Sequence, residues 1–257
     1  MRIIVLVKEV PDTYGSRTLD LQTGLADRDA SERVLDEIGE RAIEFAVSSA
    51  EQHPGTEVVL LSAGPDSVPA TLRKGLAMGA SRAVHVRDDG MRGADLTLTA
   101  EALARAIERI GFDLVVAGNL STDGSGGVVP AMVAQWLGVP HATNLDAAGI
   151  EDGTVSGERA SDGGVLRLSA PLPAVLSITE RLPDPRFPHF TGIMAAKRKP
   201  FETLGLADLG VDAGADTPRS VVLAVNERPA RAAGVKIVDD GDAGTRIAEF
   251  LVQNRLA

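Results

Sequence analysis

Between residues 2 and 138 the chain alternates, four times over, a short β-branched apolar run with an amphipathic segment of about ten residues or more. The apolar runs lie at 2–8, 58–61, 82–86 and 113–118. The helical periodicities follow at 31–52, 67–78, 94–110 and 128–137. In the first of these, apolar residues recur at 34, 35, 38, 42, 45 and 46, with Ser31 placed to cap the N-terminus. Gly79 and Gly138 stand where helices two and four should stop. Strands separated by helices of this length cannot pair as hairpins, so the pattern requires a parallel sheet covered on both faces. The expected fold class is therefore α/β, an open parallel sheet of Rossmann-like type with helices on both sides. No sequence repeat underlies the alternation.

Past residue 140 the rhythm changes. Segments 143–149, 154–160, 164–169 and 174–179 are short and punctuated by turns such as Glu151-Asp152-Gly153, which predicts an antiparallel extension of the sheet. A proline-rich loop, LPDPRFPHF, occupies 182–190 and the basic cluster Lys197-Arg198-Lys199 follows. The remainder, with a Gly/Ala/Asp-rich stretch at 210–217, a strand at 220–225 and a terminal helix at 243–254, is too poor in periodic structure to build its own core. The expected organisation is a domain over 1–200 and a C-terminal arm over 201–257 that packs on something else.

Composition excludes several chemistries. There is no cysteine among the 257 residues, hence no disulfide framework, thiolate zinc site, iron–sulfur cluster or thiol nucleophile. The four histidines, His53, His85, His141 and His189, are widely separated and lack metal-ligand spacing. A formal net charge of −10 disfavours a nucleic-acid backbone as partner, and an aromatic content of 3% leaves few stacking platforms for single strands. No apolar run reaches membrane-spanning length, and Met1-Arg2 leads directly into a strand rather than a cleavable leader. A cytoplasmic setting is expected.

In open parallel sheets ligands bind beyond the carboxyl ends of the strands. The loops predicted there are 8–15, 36–39, 62–66 and 118–129. The last reads Gly118-Asn119-Leu120-Ser121-Thr122-Asp123-Gly124-Ser125-Gly126-Gly127 and runs into a helix start, where free N–H groups and the helix dipole favour an anion. A ligand-free flexible βα loop is the plainer alternative. The loop is not a Walker A sequence, since no Lys follows Gly127, and the dinucleotide GxGxxG fingerprint is missing after the first strand. No GxSxG elbow occurs and nothing nominates a general base, so the chain reads as a binder or carrier without its own active site. In the 182–190 loop, Phe187 and Phe190 sit among prolines, as contact anchors on a stiffened loop or as rings folded back on the domain.

Taken together, Val7-Lys8-Glu9-Val10-Pro11-Asp12-Thr13, Ser62-Ala63-Gly64-Pro65, LRKGLAMGASRAVHV (72–86), AGNLSTDGSGGVVPAMVAQWLGVP (117–140), LPAVLSITERLPDPRFPHFTGIMAAKRKP (172–200) and ARAAGVKIV (230–238) resemble the β subunit of electron-transfer flavoproteins, in order and across nearly the whole chain. The resemblance implies an adenine-nucleotide-binding α/β fold that pairs with an α subunit holding most of one FAD. It further implies a structural AMP, electrons received from acyl-CoA dehydrogenases and similar flavoenzymes, and delivery to a membrane quinone oxidoreductase. Carried over by position, the nucleotide pocket takes Leu6, Asp36, Glu37, Ile38, Gly39, Ala63 and the loop Gly118 to Val129, including Val128. Thr13, Tyr14 and Ile38 match positions approaching the flavin of the α subunit. Arg186, Phe187, Phe190, Ile193 and Met194 fall in the segment that anchors dehydrogenase partners, and the tail resembles the arm that wraps the α subunit. Where the family has polar side chains this chain has Val128 and Val129, and Pro130 stands where a Gly is common, leaving backbone N–H groups of 124–129 as donors. Two other readings stand beside this one: an electron-bifurcating relative with a second FAD in place of AMP, and an adenine-nucleotide sensor or hydrolase of the same fold.

Overall fold

A computed structural model describes residues 1–257 except 16, 216–219, 232, 235, 237 and 257. It resolves into two compact units, Met1–Leu223 and Ala224–Ala257. In the first unit the chain runs β1 (Arg2–Leu6), β2 (Glu9–Pro11), β3 (Arg33–Leu35), α1 (Glu37–Gln52), β4 (Glu57–Ala63), α2 (Val68–Ala77), β5 (Arg82–Val86), α3 (Leu96–Ile110), β6 (Leu114–Gly118) and α4 (Val129–Leu137). It continues through β7 (His141–Leu145), β8 (Ala147–Glu151), β9 (Thr154–Ser161), β10 (Gly164–Pro171), β11 (Ala174–Ile178), α5 (Phe190–Ala196) and β12 (Phe201–Leu204). The second unit contains α6 (Ala243–Gln253).

Seven strands form one sheet in the order β12-β5-β4-β1-β6-β11-β7, and every pairing is parallel. Both faces are buried, so successive residues of one strand feed two different cores. Ile3 and Val5 of β1 pack with Ile43 of α1 and Leu72 of α2, whereas Ile4 packs with Leu103 and Ile107 of α3 and Val133 of α4. That two-sided burial is why these strands are continuous apolar runs and not alternating ones.

Three expectations are corrected. Helix α1 starts at Glu37, capped by Asp36, whose side chain accepts from the Ile38 N–H; Ser31 lies outside it. The residues between are taken by β3, which pairs antiparallel with β2, so a tertiary partner overrides the local helical periodicity. Residues 174–178 do not extend the sheet antiparallel. They insert as β11 between β6 and β7, parallel to both, with all five residues buried. The antiparallel portion is a separate three-stranded sheet of β8, β9 and β10, joined to the main sheet through Asp146, whose carboxylate accepts from Thr179 Oγ1 at 2.8 Å and whose N–H donates to the Glu158 carbonyl at 2.7 Å.

The segment after residue 200 begins as sheet. Phe201–Leu204 pairs with β5, Arg73 stacks over the Phe201 ring, and Leu204, Leu206, Leu209 and Val211 enter the core. The first compact unit extends to Leu223. No strand forms over 220–225. In the second unit α6 carries exposed Ile247, Phe250 and Val252. Of the tail motif at 230–238, Ala232, Val235 and Ile237 lie outside the described residues, as do 216 and 217 of the Gly/Ala/Asp-rich stretch and Ser16 of the first loop. Among the described residues no helix is long and apolar enough to cross a membrane.

Candidate functional site

From β1 the chain moves outward through β4 and β5, its helices on one face, then crosses back to β6 with α3 on the other. The strand order thus reverses at β1, and ligands in such sheets bind just beyond the strand ends at that reversal. A cleft of about 1740 Å³ lies there. Among the residues expected from the sequence it is lined by Leu6, Asp36, Gly39, Ala63, Gly118, Asn119, Leu120, Ser121, Gly124, Gly126, Gly127 and Val129. Glu37, Ile38, Thr122, Asp123, Ser125 and Val128 are close in sequence but do not line it. Thr13 and Tyr14 are not brought to it either; the Tyr14 side chain is 98% exposed.

The Gly-rich loop is shaped by its own chemistry. A Cβ on Gly118 would sit 3.0 Å from Ile38 Cγ2, so the β6 end and the start of α1 can approach this closely only without a side chain. Gly127 has φ +66° and Ser125 φ +50°, both left-handed. No side chain caps α4, and its first turn contains Pro130. The positive end of α4 is thereby left to solvent or to an anion.

Two acidic side chains hold the loop. Buried Asp36 accepts from the Thr122 N–H at 2.8 Å and Thr122 Oγ1 at 3.0 Å while still capping α1. Its carboxylate is thus committed to the frame rather than free for a ligand. Asp123 receives Lys8 Nζ at 2.7 Å and Arg28 at 3.1 Å. Burial pushes the Asp123 carboxyl up, but hydrogen bonds from Lys8 and Ser121 and the Lys8 charge outweigh it and hold the group well below the usual carboxylate range. Arg17 also donates to the Thr122 carbonyl and Lys8 to Ser121 Oγ at 3.1 Å, so three cations from the first 28 residues grip three loop residues. No local sequence pattern announces this grip, which joins residues more than ninety positions apart. Residues of that segment, among them Leu19, Leu25 and Arg28, line the cleft.

Other cleft groups have internal partners. Glu9 accepts from Ser67 and from Thr71 Oγ1 at 2.6 Å, with Arg33 beside it at 3.8 Å. Arg87 forms a bidentate pair with Asp66 at 2.9 and 3.1 Å. Below the cleft, buried His85 bonds the Gly64 carbonyl at 2.9 Å, and burial lowers its pKa, favouring the neutral ring. Asn119 is different: its buried Oδ1 has no hydrogen-bond partner among the described residues. Among those residues no cluster of His, Asp and Glu could hold a metal ion.

A second candidate region lies over α1, α2 and α5. Phe187 and Phe190 are 91% and 77% exposed, and Ile193 and Met194 of α5 are exposed beside them. The rings therefore do not fold back on the domain. Alpha-helix α5 seats on α2 through Gly192, where a Cβ would lie 2.5 Å from the Ala77 carbonyl oxygen. Lys199 turns inward from the basic cluster to donate to the Leu76 and Ala80 carbonyls, ending α2. A hollow of about 410 Å³ opens between Glu44, Met78, Arg186, Phe187 and His189.

Comparison with known proteins matches residues 23–209 to the electron transfer flavoprotein domain family. Electron transfer flavoprotein subunit beta of Mycobacterium tuberculosis is 47% identical over 262 residues, covering 99% of this chain and 98% of that protein. The mouse protein of the same name is 33% identical over 252 residues, covering 97% of each. Subunit CarD of the caffeyl-CoA reductase-Etf complex from Acetobacterium woodii is 34% identical over 212 residues, covering 82% of this chain and 80% of that one. With a family match over most of its length and full-length relatives of one name, this chain belongs to the electron transfer flavoprotein family, as a beta subunit.

Proposed function

We propose that the chain pairs with an α subunit that holds most of one FAD, and that the pair carries electrons from acyl-CoA dehydrogenases and similar flavoenzymes to a membrane quinone oxidoreductase. The cleft takes AMP in a structural role, and the chain contributes no active site of its own. The observation that carries this reading is the convergence of the Gly-rich loop and the uncapped start of α4 on a cleft at the strand-order reversal. The donor set fits a phosphate: Gly124, Gly126 and Gly127 bring backbone to the cleft just before α4, and backbone N–H groups at a helix start suit an anion. Asn119, buried with an unpaired carbonyl oxygen, supplies a polar group that a ligand or water would complete. FAD, when bound in the pair, supplies the redox chemistry. This chain's residues supply the frame around it, with Thr13, Tyr14 and Ile38 on the side facing the flavin.

The segment from 224 onward, with its exposed apolar α6, is read as the arm that packs on the α subunit. The loop 182–190 with α5 is read as the surface that docks dehydrogenases, with Phe187, Phe190, Ile193 and Met194 as its apolar contacts. One observation favours a second reading: the cleft exceeds the roughly 300–1,000 Å³ of ordinary ligand pockets, leaving room for a dinucleotide such as a second FAD.

Co-expression with the α subunit, followed by acid release and mass identification of the cofactors, decides between them. One FAD and one AMP per pair is the expected result, and two FAD would establish the second reading. A pair holding one FAD and no further adenine nucleotide would overturn the cleft assignment.

A further inference from the structure

The side chain of Arg186 sits in the loop read as a docking surface, yet its guanidinium faces inward. Nε and one terminal nitrogen reach Glu44 at 2.8 and 2.9 Å, and both terminal nitrogens reach Glu51, at 2.5 and 3.0 Å. Ser48 Oγ lies at 3.2 Å, and the Arg186 backbone N–H adds a bond to Glu44 at 3.0 Å. Glu44, Ser48 and Glu51 are spaced i, i+4, i+7, which places them on one face of α1. One turn earlier on α1, Arg41 donates to the Leu182 carbonyl and to Asp184 at 2.6 Å. The loop between is proline-rich, so it has few N–H groups with which to anchor itself.

We infer that Arg186 is a positioning residue for partner docking: forked onto Glu44 and Glu51 of α1, it fixes the loop so that Phe187 and Phe190 are presented to a flavoprotein dehydrogenase. The inference rests on the docking reading above. An ordered loop loses less conformational entropy on association, and so raises affinity without adding a contact. The planar guanidinium holds the two carboxylates in a fixed fork; a lysine ammonium can reach both but as a point charge with rotatable donors, and leaves the loop looser.

The test uses the full complex with its α subunit and a purified acyl-CoA dehydrogenase, comparing the double variant Glu44→Gln/Glu51→Gln, Arg186→Lys and Phe190→Ala. Amide hydrogen exchange over 184–191 should quicken about tenfold in the double variant. The KM for the complex should rise by about tenfold, equivalent to ~1.4 kcal/mol, with kcat and FAD content unchanged. Arg186→Lys should fall between wild type and the double variant in both readouts. Phe190→Ala should raise KM with exchange unchanged. Unaltered exchange in the double variant, or a fall in kcat without a change in KM, overturns the inference. A raised KM in Phe190→Ala beside an unaltered KM in the double variant removes the positioning role alone. An unaltered KM in Phe190→Ala removes the docking reading itself.

Discussion

The Gly-rich loop and the proline-rich loop are held by the same helix in opposite ways. The Gly-rich loop at 118–127 is tied to the start of α1 by Asp36, which is buried and satisfied wholly by protein donors. The loop at 182–190 is tied to the middle of α1 by Arg186 and Arg41, through pairs that reach solvent at Glu51 and Asp184. Buried polar ties are costly to break because the orphaned group keeps its desolvation penalty, whereas half-exposed ion pairs are screened and can be re-solvated. Under the proposed function, the first kind of tie suits a cleft that would retain a structural ligand, and the second suits a surface that would meet partners transiently.

This contrast can be broken at four places, in order of expected effect on stability. Asp36→Ala removes a helix cap and two further hydrogen bonds, and should cost about 2–4 kcal/mol, read as a lowered Tm and weakened nucleotide retention. Gly192→Ala drives a Cβ into the Ala77 carbonyl and should cost about 1–3 kcal/mol, read in the same melting experiment, while leaving nucleotide retention intact.

The third test is acid titration. Hydrogen bonds from Arg186 lower the Glu44 carboxyl from its ordinary 4.5 to about 2. A depressed carboxylate contributes stability that is fully present above pH 4.5 and lost as pH falls toward and through 2. Protection of the amides over 184–191, taken relative to the intrinsic exchange rate at each pH, should therefore fall in that window in the wild type, with Glu44→Gln already weakly protected at pH 7 and flat across it. The fourth is Phe190→Ala, which removes an exposed ring and should change stability by no more than about 0.5 kcal/mol.

Much of the frame was legible because local and tertiary demands agree. Continuous apolar runs such as Val58-Val59-Leu60-Leu61 have few alternatives to a buried parallel strand, and the Gly-rich loop stands where a strand of that kind must end. The AVLSI run of β11 carried the same mark and was misread because its neighbours are hairpin-like. Ser31 was a plausible cap, but the strand made by Arg33–Leu35 is chosen by β2, about two dozen residues away. The ties were not readable at all. Arg186 meets Glu44 across 142 positions and Lys8 meets Asp123 across 115, and no local pattern encodes which charge will face which.

The docking role is tested most directly by comparing Phe190→Ala with wild type in the complex with its α subunit. Electron acceptance from an acyl-CoA dehydrogenase and the FAD and AMP released by acid are measured on the same preparation. The expected result is a KM raised about tenfold, equivalent to ~1.4 kcal/mol, with both cofactor contents unchanged. Unaltered transfer, or transfer lost in step with the cofactors, would contradict it.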